Sequence, residues 1–514
     1  MSKLVKSSLQ ISLWTAVSKL FGLLRDLCLA SVFGVGNSAD VVNVMLRMPN
    51  FFRRIFAEGA LSNVFIPIFN QKMQISSTEA ISFANQLLIY LLCIVCIVVA
   101  AIEIWMPYVV GLVAPGFLSD SAKMSHTIFL CRVSMPCLFC ITAVGLFGSI
   151  LNSKRRFFAF SISPVIMSVC VIIAATMGTC DFYHRAFYLA VGLLVSGFLQ
   201  IVFMIIVLKR HKIAVPHFPT MNSHDQILKF FKQLFPAGLS ASVVQLQLLI
   251  SQSIASFFPG SISILAYSER LYQVPLSVLG VAFSSAILPE LATMRFRDDK
   301  KGLLEMNNKA IKIMWIFTVP ASVIIVLLAL PIVSFVYERG SFTHDISYKV
   351  AITVGVFTIG SPAIILSKLF NNLFYVHQDA STLFKITLSS LICNIGLNLF
   401  FVKLFGYIGI AIGSSIAGWL QLFLLITFSL KKGYFYPSKS LLKWMVQILL
   451  IGFIMGVVIH FIYKRVEVLF YESGFYVKFL LLLLISFVGI MTYLLGVMII
   501  KKIIITLDGK IEIR

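Results

Sequence analysis

An all-α, polytopic membrane protein of about fourteen transmembrane helices is the fold class this sequence predicts, with two six-helix repeats forming a central cleft and two additional helices. Three observations carry that expectation. Of 514 residues, 59% are hydrophobic and only 12% charged, whereas soluble domains are roughly half apolar and a quarter charged. The apolar runs are continuous rather than alternating, which excludes a transmembrane β-barrel. A weak internal similarity recurs at an offset of about 225 residues. No polar stretch approaches the roughly 100 residues of a separate soluble domain, so an attached soluble enzyme is excluded as well.

Apolar windows of about 20 residues place the spans at 7–33, 39–70, 82–112, 127–153, 159–179, 187–208, 229–256, 262–294, 311–337, 350–375, 383–402, 407–430, 444–462 and 479–500. The first begins after Lys3 and Lys6, as a signal peptide would. It lacks a small-residue cleavage site and contains Lys19, Arg25 and Asp26, so it reads as an uncleaved span. Residues 1–209 form the first lobe, 210–228 a polar cytosolic linker with Pro216 and Pro219, and 229–430 the second lobe. Residues 431–514 add two helices and a cytosolic tail.

The repeat rests on short matches. Gly36–Asp40, Pro49 and Gly59–Pro67 parallel Ser263–Glu269, Pro275 and Gly280–Pro289, and Leu151–Lys154 parallels Phe370–Asn372. An even number of spans per repeat gives both copies one orientation, related by an axis along the membrane normal. The last two spans lie outside the repeat and include the wholly apolar run Phe479–Ile485, suited to facing lipid or walling a hydrophobic tail.

The formal net charge is +22. With the N-terminus cytosolic, about 26 of the 42 Lys and Arg fall on the cytosolic side and about 8 outside, the bias expected of inner loops. Lys154-Arg155-Arg156, Lys209-Arg210-His211-Lys212, Arg295-Phe296-Arg297 with Lys300-Lys301, and Lys431-Lys432 sit at predicted cytosolic helix ends, where they can meet anionic lipid. Dispersal among helix ends rather than on one face argues against nucleic-acid binding. Cys93/Cys96 and Cys137/Cys140 have the spacing of zinc half-sites. They lie inside apolar helical runs, which favours cysteine as a small membrane-core side chain.

Ionisable side chains within a span are costly and mark cavities or partners. The first span places Ser8, Ser12, Thr15, Lys19, Gly22 and Asp26 on one helical face, bordered by Arg25. The second aligns Asp40, Asn43, Arg47, Asn50, Arg54 and Glu58, with Arg53 alongside and Pro49 expected to break or kink the helix. The eighth aligns Glu269, Gln273, Ser277, Gly280 and Ser284, with Arg270 beside them. Mutual neutralisation explains part of this, since Arg54 and Glu58 are spaced i, i+4. It does not balance the sum: Lys19, Arg25, Arg53, Arg54 and Arg270 outnumber Asp40, Glu58 and Glu269. The excess calls for an anion, and the arginine fork matches a phosphate. Glu103, Arg132 and Lys368 read as structural or snorkelling groups. Metalloprotease, nucleophile-elbow and P-loop motifs are absent from the sequence, which argues for a transporter rather than an enzyme.

Gly22-Leu-Leu-Arg25-Asp26, Phe33-Gly-Val-Gly36 with Ala39-Asp40, and Pro49-Asn-Phe-Phe-Arg53-Arg54-Ile-Phe-Ala-Glu58-Gly59-Ala60 resemble the MurJ (MviN) family of bacterial lipid II flippases. Tyr267-Ser-Glu269-Arg270-Leu271, Pro275 through Gly280, Leu288-Pro289 and Phe374-Tyr375 with Asp379 extend the resemblance along nearly the whole chain. It implies the multidrug/oligosaccharidyl-lipid/polysaccharide exporter fold, a location in the bacterial inner membrane with both termini cytosolic, and lipid II as the partner. It implies Lys19, Arg25 and Arg270 as holders of the pyrophosphate, and Asp40, Arg53, Arg54, Glu58 and Glu269 as the polar network that gates the cytosolic side. The last two helices would line a groove for the polyprenyl tail. No cofactor is implied, and the membrane potential is the expected driving force. The pattern departs at Lys19, where arginine is usual and bidentate geometry is lost, at Glu269 for aspartate, and at Gln273. The sodium-site positions Asn394, Asn398 and Ser414 offer only neutral oxygens. The rival readings are another exporter of the same superfamily, expected to carry a buried acidic cation site, and a membrane glycosyltransferase, which needs a catalytic carboxylate in a sizeable outer loop.

Overall fold

A computed structural model describes residues 3–56, 60–177, 181–213, 224–275, 287, 290–291, 293–297 and 299–511. In chain order the helices are α1 (Lys3–Phe33), α2 (Asn37–Phe56), α3 (Ala60–Ile75), α4 (Ser77–Ile104), α5 (Met106–Val113), α6 (Ser121–Ser134), α7 (Cys137–Ser153), α8 (Phe158–Thr176) and α9 (Phe182–Arg210). They continue as α10 (His224–Ala255), α11 (Ser261–Pro275), α12 (Lys300–Leu327), α13 (Ala329–Tyr337), α14 (His344–Val376), α15 (Ala380–Phe405), α16 (Ile408–Lys431), α17 (Lys439–Glu472) and α18 (Phe475–Ile511). The described residues contain no strand. Ten segments among them are long and apolar enough to cross a membrane. Outside that set stand α1, α2 and α11, the elements on which the sequence places charged stripes.

Several predicted spans are composite. The third divides at Trp105 into α4 and α5, and the ninth at Leu328 into α12 and α13. Pro107 and Pro331 follow these breaks; proline lacks an N–H and is accommodated in a first helical turn, where no intrahelical acceptor is needed. In the second span α2 runs through Pro49 to Phe56, so of the two expected outcomes the proline does not break the helix.

The repeat is written in the turns. Arg155, at φ 59°, ends α7 with Arg156 N–H donating to Leu151 O and Arg155 N–H to Asn152 O, both at 2.9 Å. Gln378, at φ 55°, ends α14 in the same way, through Asp379 N–H to Phe374 O and its own N–H to Tyr375 O. Lys212 after α9 and Gly433 after α16 make a second matched pair, at φ 54° and 72°. All four are paired-bond caps in which a left-handed residue satisfies the last carbonyls, and each pair is one repeat apart.

The chain forms two compact units. Unit 1 comprises Met1–Ser263 with Arg339–Phe342, and unit 2 Ile264–Glu338 with Thr343–Arg514. By contact, then, residues 229–255, which sequence symmetry groups with the second repeat, belong to unit 1. In unit 1, Phe65 of α3 stacks on Phe69 and on Phe83 of α4, and Gly197 of α9 admits Cys137 and Cys140 of α7, the latter's Cβ 2.7 Å from where a Cβ on Gly197 would lie. Those cysteines therefore serve close helix packing. In unit 2, α17 and α18 seat on α12: Trp315 Nε1 donates to Met445 O at 3.2 Å, and Tyr493 O–H to Ile316 O at 2.9 Å.

Candidate functional site

On α1, Lys19 is exposed, whereas the Arg25 and Asp26 side chains are only 13% and 11% accessible. Lys19 and Asp26, seven residues apart, share a helical face; Arg25 projects from the neighbouring one. Arg25 bridges that angle by turning its guanidinium onto Asp26, with Nη2 and Nε donating to Oδ1 at 2.8 and 3.1 Å. Asp26 thus orients the cation toward the stripe that carries Lys19. The sequence singled out Asp26 only as a stripe residue, because adjacent positions on a helix diverge by about 100° and do not ordinarily meet.

Asp40, in the first turn of α2, has no accessible surface. Its Oδ1 accepts from Ser263 N–H at 2.9 Å and Ser263 O–H at 2.7 Å, and its Oδ2 from Gly260 N–H at 2.7 Å. The carboxylate therefore caps the first turn of α11, where backbone N–H groups lack helical acceptors and the helix dipole favours negative charge. Asn43 Nδ2 adds a bond to Ser263 Oγ at 3.3 Å. The Lys123 ammonium stands 3.6 Å from Asp40 Oδ2, donates to Asn37 Oδ1 at 3.0 Å and lies 3.9 Å from the centroid of Phe117. Lys123 escaped the sequence reading. It lies 83 positions from Asp40, and its one sequence signal was being among the few Lys and Arg assigned to the outer side.

Arg53 is not part of that cluster: thirteen residues along α2 amount to roughly 20 Å of helix. It borders a cavity of about 80 Å³ in unit 1 that is also lined by Cys137, Ser163 and Gln200, where Ser163 O–H donates to Gln200 Oε1 at 2.7 Å. Arg47 Nη1 reaches Gln252 Oε1 at 3.4 Å. Arg54 belongs to α2 with its side chain outside the described set, and Glu58 lies outside the described residues.

In unit 2, Glu269 and Arg270 sit on α11, half-buried and exposed respectively. Asn394 and Asn398 are buried on α15. Asn398 Nδ2 donates to Asn394 Oδ1 at 3.2 Å, and Asn394 Nδ2 to Ser414 Oγ of α16 at 3.4 Å. These neutral groups are joined to one another across two helices. No group of three or more His, Cys, Asp or Glu is gathered for a metal among the described residues.

Comparison with known proteins gives the chain's family. A family model described as lipid II flippase MurJ matches residues 29–495. A probable lipid II flippase MurJ of Rickettsia prowazekii (strain Madrid E) is 39% identical over 458 residues, covering 89% of this chain and 90% of the relative. The lipid II flippase MurJ of Burkholderia cenocepacia is 27% identical over 467 residues, covering 89% and 90%. A solved lipid II flippase MurJ in an inward closed conformation superposes with a TM-score of 0.79 at 25% identity, covering 96% of this chain and 99% of the other. A multidrug-resistance MATE transporter in an inward-facing conformation shares the fold, with a TM-score of 0.66 at 16% identity over 81% of this chain and 94% of that one. With a matching model across most of its length and relatives aligned nearly end to end, the chain belongs to the MurJ lipid II flippase family, a multi-pass transporter of the bacterial inner membrane rather than an enzyme.

Proposed function

We propose that this chain carries lipid II, the polyprenyl-pyrophosphate-linked disaccharide-peptide, from the cytosolic to the outer leaflet for peptidoglycan synthesis. The observation that supports the reading best is the Arg25–Asp26 pair, a guanidinium held by a neighbouring carboxylate on α1. A cation pre-oriented in this way loses little freedom on meeting a phosphate. Lys19, Arg25 and Arg270 take the pyrophosphate, while the head group occupies the aqueous cleft between the lobes 1–209 and 229–430. The tail stays in lipid along the helices of 431–514. Asp40, Arg53, Arg54, Glu58 and Glu269 make the polar contacts that exchange as access alternates, and both termini face the cytosol. With a cytosol-negative potential, outward movement of an anion is favoured by about 2.3 kcal/mol per charge per 100 mV, so no nucleotide is required. Asn394, Asn398 and Ser414 act as a neutral packing element in preference to a sodium site.

The test is complementation of a bacterium depleted of its own lipid II flippase. The native chain restores growth, Arg25→Ala and Arg270→Ala do not, and collapsing the membrane potential slows transport of labelled lipid II. Growth sustained by both alanine variants at native protein levels would refute the assignment.

A further inference from the structure

We propose that unit 2 carries a second anion site, where α14 and α16 end and α12 and α17 begin, which takes the phosphate diester head group of an anionic membrane phospholipid. A cavity of about 340 Å³ opens there, lined among others by Arg295, Leu303, His377, Lys432 and Tyr434, a volume within the range of small-ligand pockets. Two basic clusters that lie far apart in the chain each contribute one residue to its lining, Arg295 from Arg295–Arg297 and Lys432 from Lys431–Lys432. None of the lining residues belongs to the set proposed to hold the pyrophosphate.

The acidic groups nearby are already engaged. Asp299, on the wall, accepts from Gly302 N–H at 2.8 Å as the cap of α12. Asp379 accepts from Lys432 Nζ, from Thr382 N–H at 3.3 Å and from Tyr434 O–H at 3.3 Å, and its pKa lies below the usual carboxylate range, chiefly through the Lys432 hydrogen bond. Asp379 thereby holds the ammonium at the cavity rim. His377 Nδ1 donates to Leu373 O at 2.8 Å, and its ring stacks on Tyr434 with centroids 3.9 Å apart. Burial, reinforced by the charge of Arg295, keeps His377 below the ordinary histidine range, so the cations at the site are Arg295 and Lys432, the latter shared with Asp379.

The choice of a lipid over a soluble phosphate rests on the aromatic groups. Phe296 is 93% exposed between Arg295 and Arg297, and Tyr436, on the cavity wall, is 56% exposed. Aromatic rings interleaved with arginines suit the head-group level of a bilayer, where the ring enters the interface and the guanidinium meets phosphate. A free phosphate would use neither Phe296 nor the Leu303 wall.

The experiment uses the purified full-length chain in vesicles of phosphatidylcholine with or without a minority of phosphatidylglycerol, and reads retained lipid by native mass spectrometry. Phosphatidylglycerol should be retained about tenfold more tightly than phosphatidylcholine. The Arg295→Gln/Lys432→Gln variant should lose most of that preference, whereas Arg295→Lys/Lys432→Arg, and Lys154→Gln/Arg156→Gln at another basic cluster, should keep it. An unchanged preference in the first variant overturns the proposal, as does full competition by millimolar inorganic phosphate, which would mark a soluble-phosphate site. If the glutamine variant does not fold, brominated lipids decide the question in the Phe296→Trp background. Stronger quenching by brominated phosphatidylglycerol than by brominated phosphatidylcholine supports the site, and equal quenching rejects it.

Discussion

The two repeats share their turns and differ in their charges. The left-handed caps at Arg155 and Lys212 recur at Gln378 and Gly433, with the same pairs of backbone bonds. A second correspondence is reciprocal and lies within unit 1. A Cβ on Gly116, in the turn after α5, would stand 2.2 Å from Ser256 O at the end of α10; one on Gly340, in the turn after α13, would stand 2.4 Å from Ser31 O near the end of α1. Charge does not follow this symmetry. α1 holds Lys19, Arg25 and Asp26, whereas α10 has no charged residue after Lys232. Asp40 caps α11; the sequence match set it opposite Glu269, but the repeat offset of about 225 residues places the apolar Leu265 and Ala266 nearer the corresponding position in the second repeat. Turns are held by steric rules that many sequences satisfy, so duplication preserves them; a membrane charge survives only where a partner offsets its desolvation.

The largest test of that asymmetry is Arg25→Ala, expected to slow lipid II transport about 100-fold in a reconstituted vesicle assay. Ile250→Ala, in the corresponding neutral stretch of α10, should leave the rate within about twofold. Comparable losses from both would dissolve the distinction. Next comes Asp40→Leu, which imports the apolar character of the second repeat. Orphaning the N–H groups of Gly260 and Ser263 costs about 1–3 kcal/mol each, read as a lower unfolding midpoint in detergent, and Lys123→Met should lower it by less. A midpoint unaffected by Asp40→Leu would show that the cap is dispensable.

The reciprocal glycines sharpen the comparison further. Both Gly116→Ala and Gly340→Ala must displace a backbone carbonyl, at about 1–3 kcal/mol. Gly340, at φ 59°, bears an additional 1–2 kcal/mol or so for a left-handed alanine. The midpoint should therefore fall further for Gly340→Ala, and the reverse order would reject the assigned geometry. The smallest effect lies at the caps: Gly433→Ala should destabilise by about 1 kcal/mol and Arg155→Gly stabilise by a similar or smaller amount, measured by the same thermal scan.

Hydropathy located most of the helices because a bilayer demands long apolar segments with internally satisfied backbones. It merged α4 with α5 and α12 with α13, since both halves are apolar and only Pro107 and Pro331 mark the breaks. The cations Lys19, Arg25 and Arg270 were legible for the same reason that they are costly. Their partners were less so. Asp26 adjoins Arg25 in the chain, but only the bend of a long side chain brings them together. Lys123, Gly260 and Ser263 meet Asp40 across large separations in sequence, and no local pattern announces such a meeting.

What the sequence determined by itself was the membrane class, the internal duplication and the family. Each follows from composition, periodicity and short motifs that act locally along the chain. What only the tertiary structure decided was the pairing: Asp40 as the cap of α11, Arg53 on a separate cavity, 229–255 packed with unit 1, and the distant cations Arg295 and Lys432 on one pocket. Those outcomes depend on which helix ends meet in space, and buried polar groups are satisfied by whatever partner the packing brings within about 3 Å.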